Sequence, residues 1–353
     1  MTVIETITLT RLRIPLSEPY HLSHTTVRAL DTVIVKVELD DNRIGFGEVT
    51  PLRGYSTETI DKIWPSLTAV APEISGESID TARRVAAELP GGRFAQSAID
   101  VALETAERDS LPPVTAPLTG ILSTENPVDR SLATLDRQLE AGFETIKVKI
   151  GFDSTRDAQR LERIAAATPS SVALRVDANQ GYSLAEARRF LDAAPTDRLQ
   201  HVEQPLSVGA LDDHATLNRA YDVTIMLDEE ITDRSDVVAA SKAGAAGAVK
   251  FKLMKSGGWA ATEACIQTAR DRGLAVVLGN GVQSDLGCLH EATLWAETDL
   301  RLAGEFNGWR KQERSLLTAL SFDDGALSWA GDAPDPDEAA LRLYRVDERQ
   351  ISA

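Results

Sequence analysis

The chain has 353 residues, 37 of them basic and 54 acidic, for a net charge of −17, with 43% apolar and 26% charged residues. Such an acidic balance repels phosphate backbones and anionic lipid, which argues against nucleic acid or membrane as partner, and the apolar share is enough for a large buried core. The start Met1-Thr2-Val3-Ile4-Glu5 lacks a basic-then-apolar leader, no run reaches the roughly 18 apolar residues of a spanning helix, and two cysteines, Cys265 and Cys288, cannot make a disulfide framework, so a cytoplasmic protein with reduced thiols is expected.

From Val3 to Ile14 and from Thr32 to Leu39 the chain alternates and is rich in β-branched residues, which predicts two antiparallel strands around a loop at 15–30. Arg43 to Glu48, after the Asp40-Asp41-Asn42 turn, reads as a third strand, and the pattern from Thr57 to about Ala106 is helical. These elements predict an α+β capping domain at 1–111. Pro112-Pro113 and Pro117 punctuate its end, and strand then alternates with helix. The strands fall at Leu118–Leu122, Thr145–Ile150, Val172–Asp177, Gln200–Glu203, Thr224–Leu227, Ala248–Leu253, Ala275–Leu278 and Leu302–Phe306. Between them the helices carry start signals such as Ser183-Leu184-Ala185-Glu186, a capping box. The expected fold is therefore α/β: a (β/α)8-type barrel, a modified TIM barrel, at 112–312, with the N-terminal α+β cap and a C-terminal segment, 313–353, returning to it.

Five of these strands end in ionisable residues: Lys147-Val148-Lys149, Asp177 with Asn179, Glu203, Asp228-Glu229 and Lys250-Phe251-Lys252. The steps from Lys149 to Asp177, Glu203, Asp228 and Lys252 are 28, 26, 25 and 24 residues, about one strand-plus-helix unit each. Barrel strands read toward their C-termini bring all five to one rim, where barrel enzymes keep their chemistry. Asp177, Glu203 and Asp228 supply hard oxygen ligands suited to Mg²⁺, with Mn²⁺ the alternative, and no His/Cys spacing for zinc accompanies them. Lys149 and Lys252 flank this triad in strand order and are expected to face each other across the metal, where neighbouring cations push a lysine toward base duty. Removing a proton next to a carboxylate builds an enediolate, whose extra charge a divalent ion stabilises. One lysine takes the proton and the other returns it, protonates a leaving group or holds the intermediate. Lys147 shares a face with Lys149 and is assigned to orient or tune it; the role of Lys250, on the face of Lys252, is left open. Asn179 is placed to hydrogen-bond a ligand or carboxylate at the rim, and Glu229 to pair with a lysine.

These segments, with Val202-Glu203-Gln204-Pro205 and Lys252-Leu253-Met254-Lys255-Ser256-Gly257-Gly258, resemble the enolase superfamily in its muconate lactonizing enzyme subgroup. Gly47-Glu48-Val49-Thr50-Pro51-Leu52, followed by Gly54-Tyr55-Ser56, is similar to the capping domain of that subgroup. By that resemblance Pro19 to Arg28 and Arg53 to Ser56, with Tyr55, are expected to close over a small carboxylate-containing substrate. The resemblance implies cycloisomerases, o-succinylbenzoate synthases, N-acylamino acid racemases and dipeptide epimerases as candidate activities. It also implies departures: Gln283 stands where many relatives carry a Glu after the seventh strand, and Glu305-Phe306-Asn307 only partly replaces an Asp-x-Asp that holds a substrate ammonium. No His ends the seventh strand, since His290 lies about three helical turns later, which disfavours the mandelate racemase branch.

The leading expectation is Mg²⁺-dependent abstraction of the proton α to a carboxylate, racemising or epimerising an amino acid derivative or dipeptide, because two opposed lysines suit a two-base mechanism. Cycloisomerisation or an o-succinylbenzoate synthase-like syn elimination is the close second. Rivals of other classes are a metal-free Schiff-base lyase using an inward lysine and a non-catalytic carboxylate-binding protein. A homo-oligomer is expected. Lys255 reads as a structural ion-pair partner, and His21 and His24 as either substrate contacts or surface imidazoles.

Overall fold

The alternating β-branched stretches at the N-terminus form a long hairpin in the computed structural model, which describes residues 2–21, 26–51, 57–89, 92–123 and 128–353. Strands β1 (Ile4–His21) and β2 (Thr26–Leu39) pair antiparallel, and β3 (Ile44–Val49) adds to β2 across a turn in which Asn42 takes a φ of 67°. Pairing runs further than the sequence pattern predicts. The described residues at 15–21 and 26–30 pair where a loop is expected: Pro15 still pairs with Ala29 and Tyr20 with Val27, with a register shift between Pro15 and Tyr20 around Pro19, which cannot donate to the ladder. Helices α1 (Ile60–Ile74), α2 (Ile79–Ala87) and α3 (Arg93–Ala106) pack on this sheet and share with it a separate apolar core that includes Leu9, Val35, Leu67, Ala98 and Leu103. Helix α3 lies so close to β3 that a Cβ added at Gly45 would stand 2.1 Å from the Ala102 carbonyl oxygen.

After β4 (Val114–Pro117) the chain alternates as expected: β5 (Gly120–Leu122), α4 (Val128–Glu140), β6 (Thr145–Lys149), α5 (Ser154–Ala167), β7 (Ala173–Asp177), α6 (Leu184–Ala193), β8 (Leu199–Glu203), α7 (Leu211–Ala220), β9 (Ile225–Leu227), α8 (Arg234–Ala243), β10 (Ala248–Phe251), α9 (Leu253–Ser256), α10 (Trp259–Arg270), β11 (Ala275–Leu278) and α11 (Asp285–Glu297). Strands β5 to β11 lie in sequence order in one sheet whose ladders are parallel. The eighth strand expected at 302–306 shrinks to two parallel bridges, Gly304 with Leu118 and Glu305 with Gly279, which join the two edges of the sheet and close the barrel. Local signals act as read: the Ser183 side chain accepts from Glu186 N while Glu186 reaches back, and Asp233 and Asp236 form a second capping box on α8.

Beyond the barrel, β12 (Ser321–Asp323) and β13 (Ala326–Trp329) form an antiparallel sheet with β4. Helix α12 (Glu338–Tyr344) then leads into β14 (Arg345–Ser352), which pairs with β1 at the edge of the capping sheet. Cys265 and Cys288 are free and buried in α10 and α11. Among the described residues no helix is long and apolar enough to cross a membrane.

Candidate active site

Side chains alternate along a strand, so the residues sharing the parity of Lys149, Asp177 and Glu203 point into the barrel. The registers Lys149↔Asp177 and Asp177↔Glu203 then set those three groups side by side at the C-terminal end of the sheet. Asp228 follows β9 directly, and Lys252 follows β10. All the carboxylates of the triad are buried, at 1%, 0% and 1% exposure for Asp177, Glu203 and Asp228, in a place where unpaired charge is untenable.

Lysines satisfy them. Asp177 Oδ2 accepts from Lys149 Nζ at 2.6 Å and from Lys147 Nζ at 3.0 Å, while Asn179 N donates to its Oδ1 at 2.9 Å. Glu203 accepts from Lys147 at 3.2 Å and from Lys250 at 3.1 Å through different oxygens. Asp228 accepts from Lys252 at 2.8 Å and from Lys255 at 2.6 Å. Asn179, held at a φ of 42°, accepts from Lys149 at 2.7 Å and donates to Glu229 Oε1 at 3.2 Å. The expected partner of Glu229 was a lysine; its hydrogen bond goes to the Asn179 amide instead. Gln204 Oε1 takes the Asp228 and Glu230 amides, which fixes the end of β9 against β8.

Burial alone would lower Lys252, but Asp228 and then Glu229 outweigh it and hold Lys252 above its ordinary value, so the neighbouring carboxylates keep this lysine protonated. Burial likewise opposes Lys147, and Asp177, Glu203 and Glu305 raise it well above. Asp228 is held well below the usual carboxylate range: burial pushes upward, and Lys252 and Lys255 overcome it. Glu203 moves the other way, up to about 7, from burial and the charge of Asp177 against the pull of Lys147 and Lys250.

Glu305 does not present a carboxylate at the rim for a substrate ammonium. Its Oε2 accepts from Lys147 and Lys250 at 2.5 Å each, inside the barrel, with the lysines that precede Lys149 and Lys252 by two residues on their strands. Lys250 thus belongs to this inner layer, 2% exposed, with Glu203 and Glu305. Lys255 is an ion-pair partner of Asp228, as read. Gln283 is buried in the connection from β11 to α11, against Gly287 and Gly308, and its Oε1 has no hydrogen-bond partner among the described residues. Tyr55, His24 and the loop at 53–56 lie outside the described residues, as does the side chain of His21.

Glu291 and Glu48 are among the buried carboxylates to which the sequence pattern assigns no role. Glu291 on α11 accepts from Leu253 N at 2.9 Å, anchoring the turn that follows Lys252. Glu48 on β3 accepts from Ser284 N and Gly287 N, both at 2.8 Å, and so joins the capping sheet to the start of α11. Their partners lie 38 and 236 residues away, beyond any local pattern.

The donor set fits a hard divalent cation. Glu203 is raised by burial and then by Asp177, and Glu229 by burial and then by Asp228 and Asp177, with the Glu229 Oε2 buried and lacking a hydrogen-bond partner among the described residues, an oxygen a cation could use. Among the described residues no three acidic, His or Cys groups are already gathered into a metal cluster, because the lysine nitrogens stand between the carboxylates.

A closed parallel barrel whose adjacent strand ends carry carboxylates between lysines, and whose N-terminal sheet is completed by its own C-terminal strand, defines a class of two-part barrel enzyme with its chemistry at the strand ends. Residues 4–110 match the family described as mandelate racemase / muconate lactonizing enzyme, N-terminal domain, and residues 131–334 match the enolase C-terminal domain-like family. The chain belongs to the enolase superfamily, among its mandelate racemase and muconate lactonizing enzyme-like proteins. It is 28% identical over 296 residues to the L-Ala-D/L-Glu epimerase of Bacillus subtilis, covering 78% of this chain and 80% of that one. Muconate cycloisomerase 1 of Acinetobacter baylyi is 26% identical over 341 residues, covering 89% and 91%. The solved dipeptide epimerase of Cytophaga hutchinsonii, in complex with Mg and the dipeptide D-Ala-L-Val, superposes with a TM-score of 0.90 at 22% identity over 99% of this chain and 100% of that one. With epimerase and cycloisomerase relatives on the same fold, this protein is an isomerase.

Proposed function

We propose that this isomerase moves the proton α to a substrate carboxylate, racemising or epimerising an N-acylated amino acid or a dipeptide. The observation that carries the reading is the placement of Lys149 and Lys252: each ends on its own carboxylate, Asp177 or Asp228, on opposite flanks of the strands β7 to β9. Asp177, Glu203 and Asp228 would hold a Mg²⁺ ion, which when bound stabilises negative charge building on the substrate carboxylate. Lys149, in its neutral form, takes the α-proton from one face; the C–H bond electrons pass into the carboxylate group. Lys252, hydrogen-bonded to Asp228, delivers a proton to the opposite face, and a new C–H bond forms with inverted configuration. The reverse reaction exchanges the two roles. Asn179 steadies Lys149 through its carbonyl oxygen, and Glu291 steadies the chain after Lys252.

Support for the substrate class comes from the epimerase relatives, and support for a second reading, cycloisomerisation, from the muconate cycloisomerase match over 341 residues. Incubation with N-succinyl amino acids and dipeptides in deuterated water with Mg²⁺, followed by chiral analysis, separates the two. Deuterium gained at the α-carbon together with inversion is expected; turnover of muconate-like acids with no inversion of any amino acid derivative would move the assignment to cycloisomerase.

A further inference from the structure

The inner layer of the barrel holds three charges that the proposed proton transfer does not use: Lys147, Lys250 and Glu305. Both ammonium groups also touch the carboxylates above them. Lys147 Nζ lies 3.0 Å from Asp177 and 3.2 Å from Glu203; Lys250 Nζ lies 3.1 Å from Glu203 and 3.8 Å from Asp228. Each lies closer to Glu305 Oε2, at 2.5 Å. One oxygen thus gathers two cations that also lean on the triad.

We propose that Glu305 is a positioning residue that shares the Lys147 and Lys250 ammonium groups with Asp177 and Glu203, taking up positive charge that would otherwise fall on the triad alone and so favouring a divalent cation there. The inference rests on reading that triad as the metal ligands. An ammonium and a metal ion compete for the same oxygens, so whatever holds the ammonium elsewhere favours the metal. The closing segment makes Glu305 a fixed rather than an adaptable anchor. Its N donates to Leu278 O at 3.0 Å, and its O accepts from Asn280 N at 3.3 Å. From beneath, Arg175 Nη1 donates to Ala303 O at 2.8 Å. Gly279 lies so near that a Cβ there would stand 2.8 Å from Glu305 Cβ, which fixes the Glu305 backbone against the end of β11.

The test is calorimetric titration of MgCl2 into the full chain stripped of metal, for the wild type, Glu305→Gln, Lys250→Met and the double variant, with α-hydrogen exchange recorded alongside. Expected are a loss of Mg²⁺ affinity of roughly tenfold or more in E305Q, affinity at least equal to wild type in K250M, and recovery to within about threefold of wild type in the double variant, since one surplus ammonium leaves with its counter-ion. A merely structural role for Glu305 predicts a double variant no better than E305Q. That result, unchanged affinity in E305Q, or weaker binding in K250M, overturns the inference while leaving the metal reading in place. K250M keeps the test decisive should E305Q fail to fold. A wild type that binds no Mg²⁺ and exchanges the α-hydrogen in chelator overturns the metal reading and this inference together.

Discussion

The core of the capping region and the interior of the barrel are both closed to water, yet they are held by opposite means. Between the capping sheet and α1 to α3 the contacts are aliphatic, Leu9 and Val35 against Leu67 and Leu103 among them, and close approach is set by shape. Inside the barrel Lys147, Asp177, Glu203, Asp228, Lys250, Lys252 and Glu305 are buried and paired with one another, beside a small apolar cluster of Met226, Ala248 and Val277. A cap of this kind is insensitive to charge, whereas the barrel interior stands or falls by matching it. The contrast teaches where chemistry can be placed: a dry apolar core supplies rigidity, and a dry ionic one supplies groups whose protonation neighbours can set.

The sharpest break should come at the lysines. Lys149→Ala and Lys252→Ala are each expected to lower α-hydrogen exchange by about 10³-fold or more, the scale of a lost acid or base. Circular dichroism and exchange kinetics would be read together; a folded variant that retains the wild-type exchange rate removes that lysine from the mechanism. Next comes Asp228→Ala, which deletes the carboxylate shared by Lys252 and Lys255 and should cost about 3 kcal/mol or more of stability by urea unfolding. A loss under about 1 kcal/mol would mean the ionic interior is looser than its distances imply.

The seam between the two regions gives a pH test. Asp285, fully buried at the start of α11, has its carboxyl pushed up to about 6, chiefly by burial, although Leu317 N donates to it. In the unfolded chain it titrates near 3.9. Between those values the folded protein holds a proton that the unfolded chain has released, so stability falls as pH rises through the window, by about 3 kcal/mol at most. Asp285→Asn cannot ionise and keeps an oxygen for Leu317 N. Its urea midpoint should fall less than that of the wild type from about pH 4 to 7, where the wild type bears the cost of a buried charge.

The ionic interior was legible in sequence because charged residues interrupt short apolar runs at a nearly constant interval, which only a repeated strand-and-helix unit produces. Lys149, Asp177, Glu203, Asp228 and Lys252 therefore reached the same rim on paper and in space. Glu305 did not read correctly, since a segment of two bridges carries too little alternation to say which layer its side chain enters. In the cap, the pairing of β1 with β2 beyond Ile14 is hidden in the sequence by Pro15 and Pro19, near which the register shifts. Glu48 was hidden because its partners are amides of another region.

Gly45 offers the gentlest test, and it probes the apolar side of the comparison alone. A methyl group there would meet Ala102 O at 2.1 Å and Ala106 N at 2.2 Å, both backbone atoms that cannot rotate aside, so α3 has to lift from β3. Overpacking of this kind costs roughly 1 to 3 kcal/mol. Since no charge is involved, the loss in Gly45→Ala should be the same at low and high salt and across neutral pH, unlike the loss in Asp228→Ala. Helix α3 also touches α9, the turn carrying Lys255 that follows Lys252. If cap packing is transmitted to the rim through that contact, Gly45→Ala should raise KM for substrate or weaken exchange more than its stability loss alone accounts for at saturating folded protein. Equal kinetics per folded molecule would mean the two regions are joined mechanically but act independently.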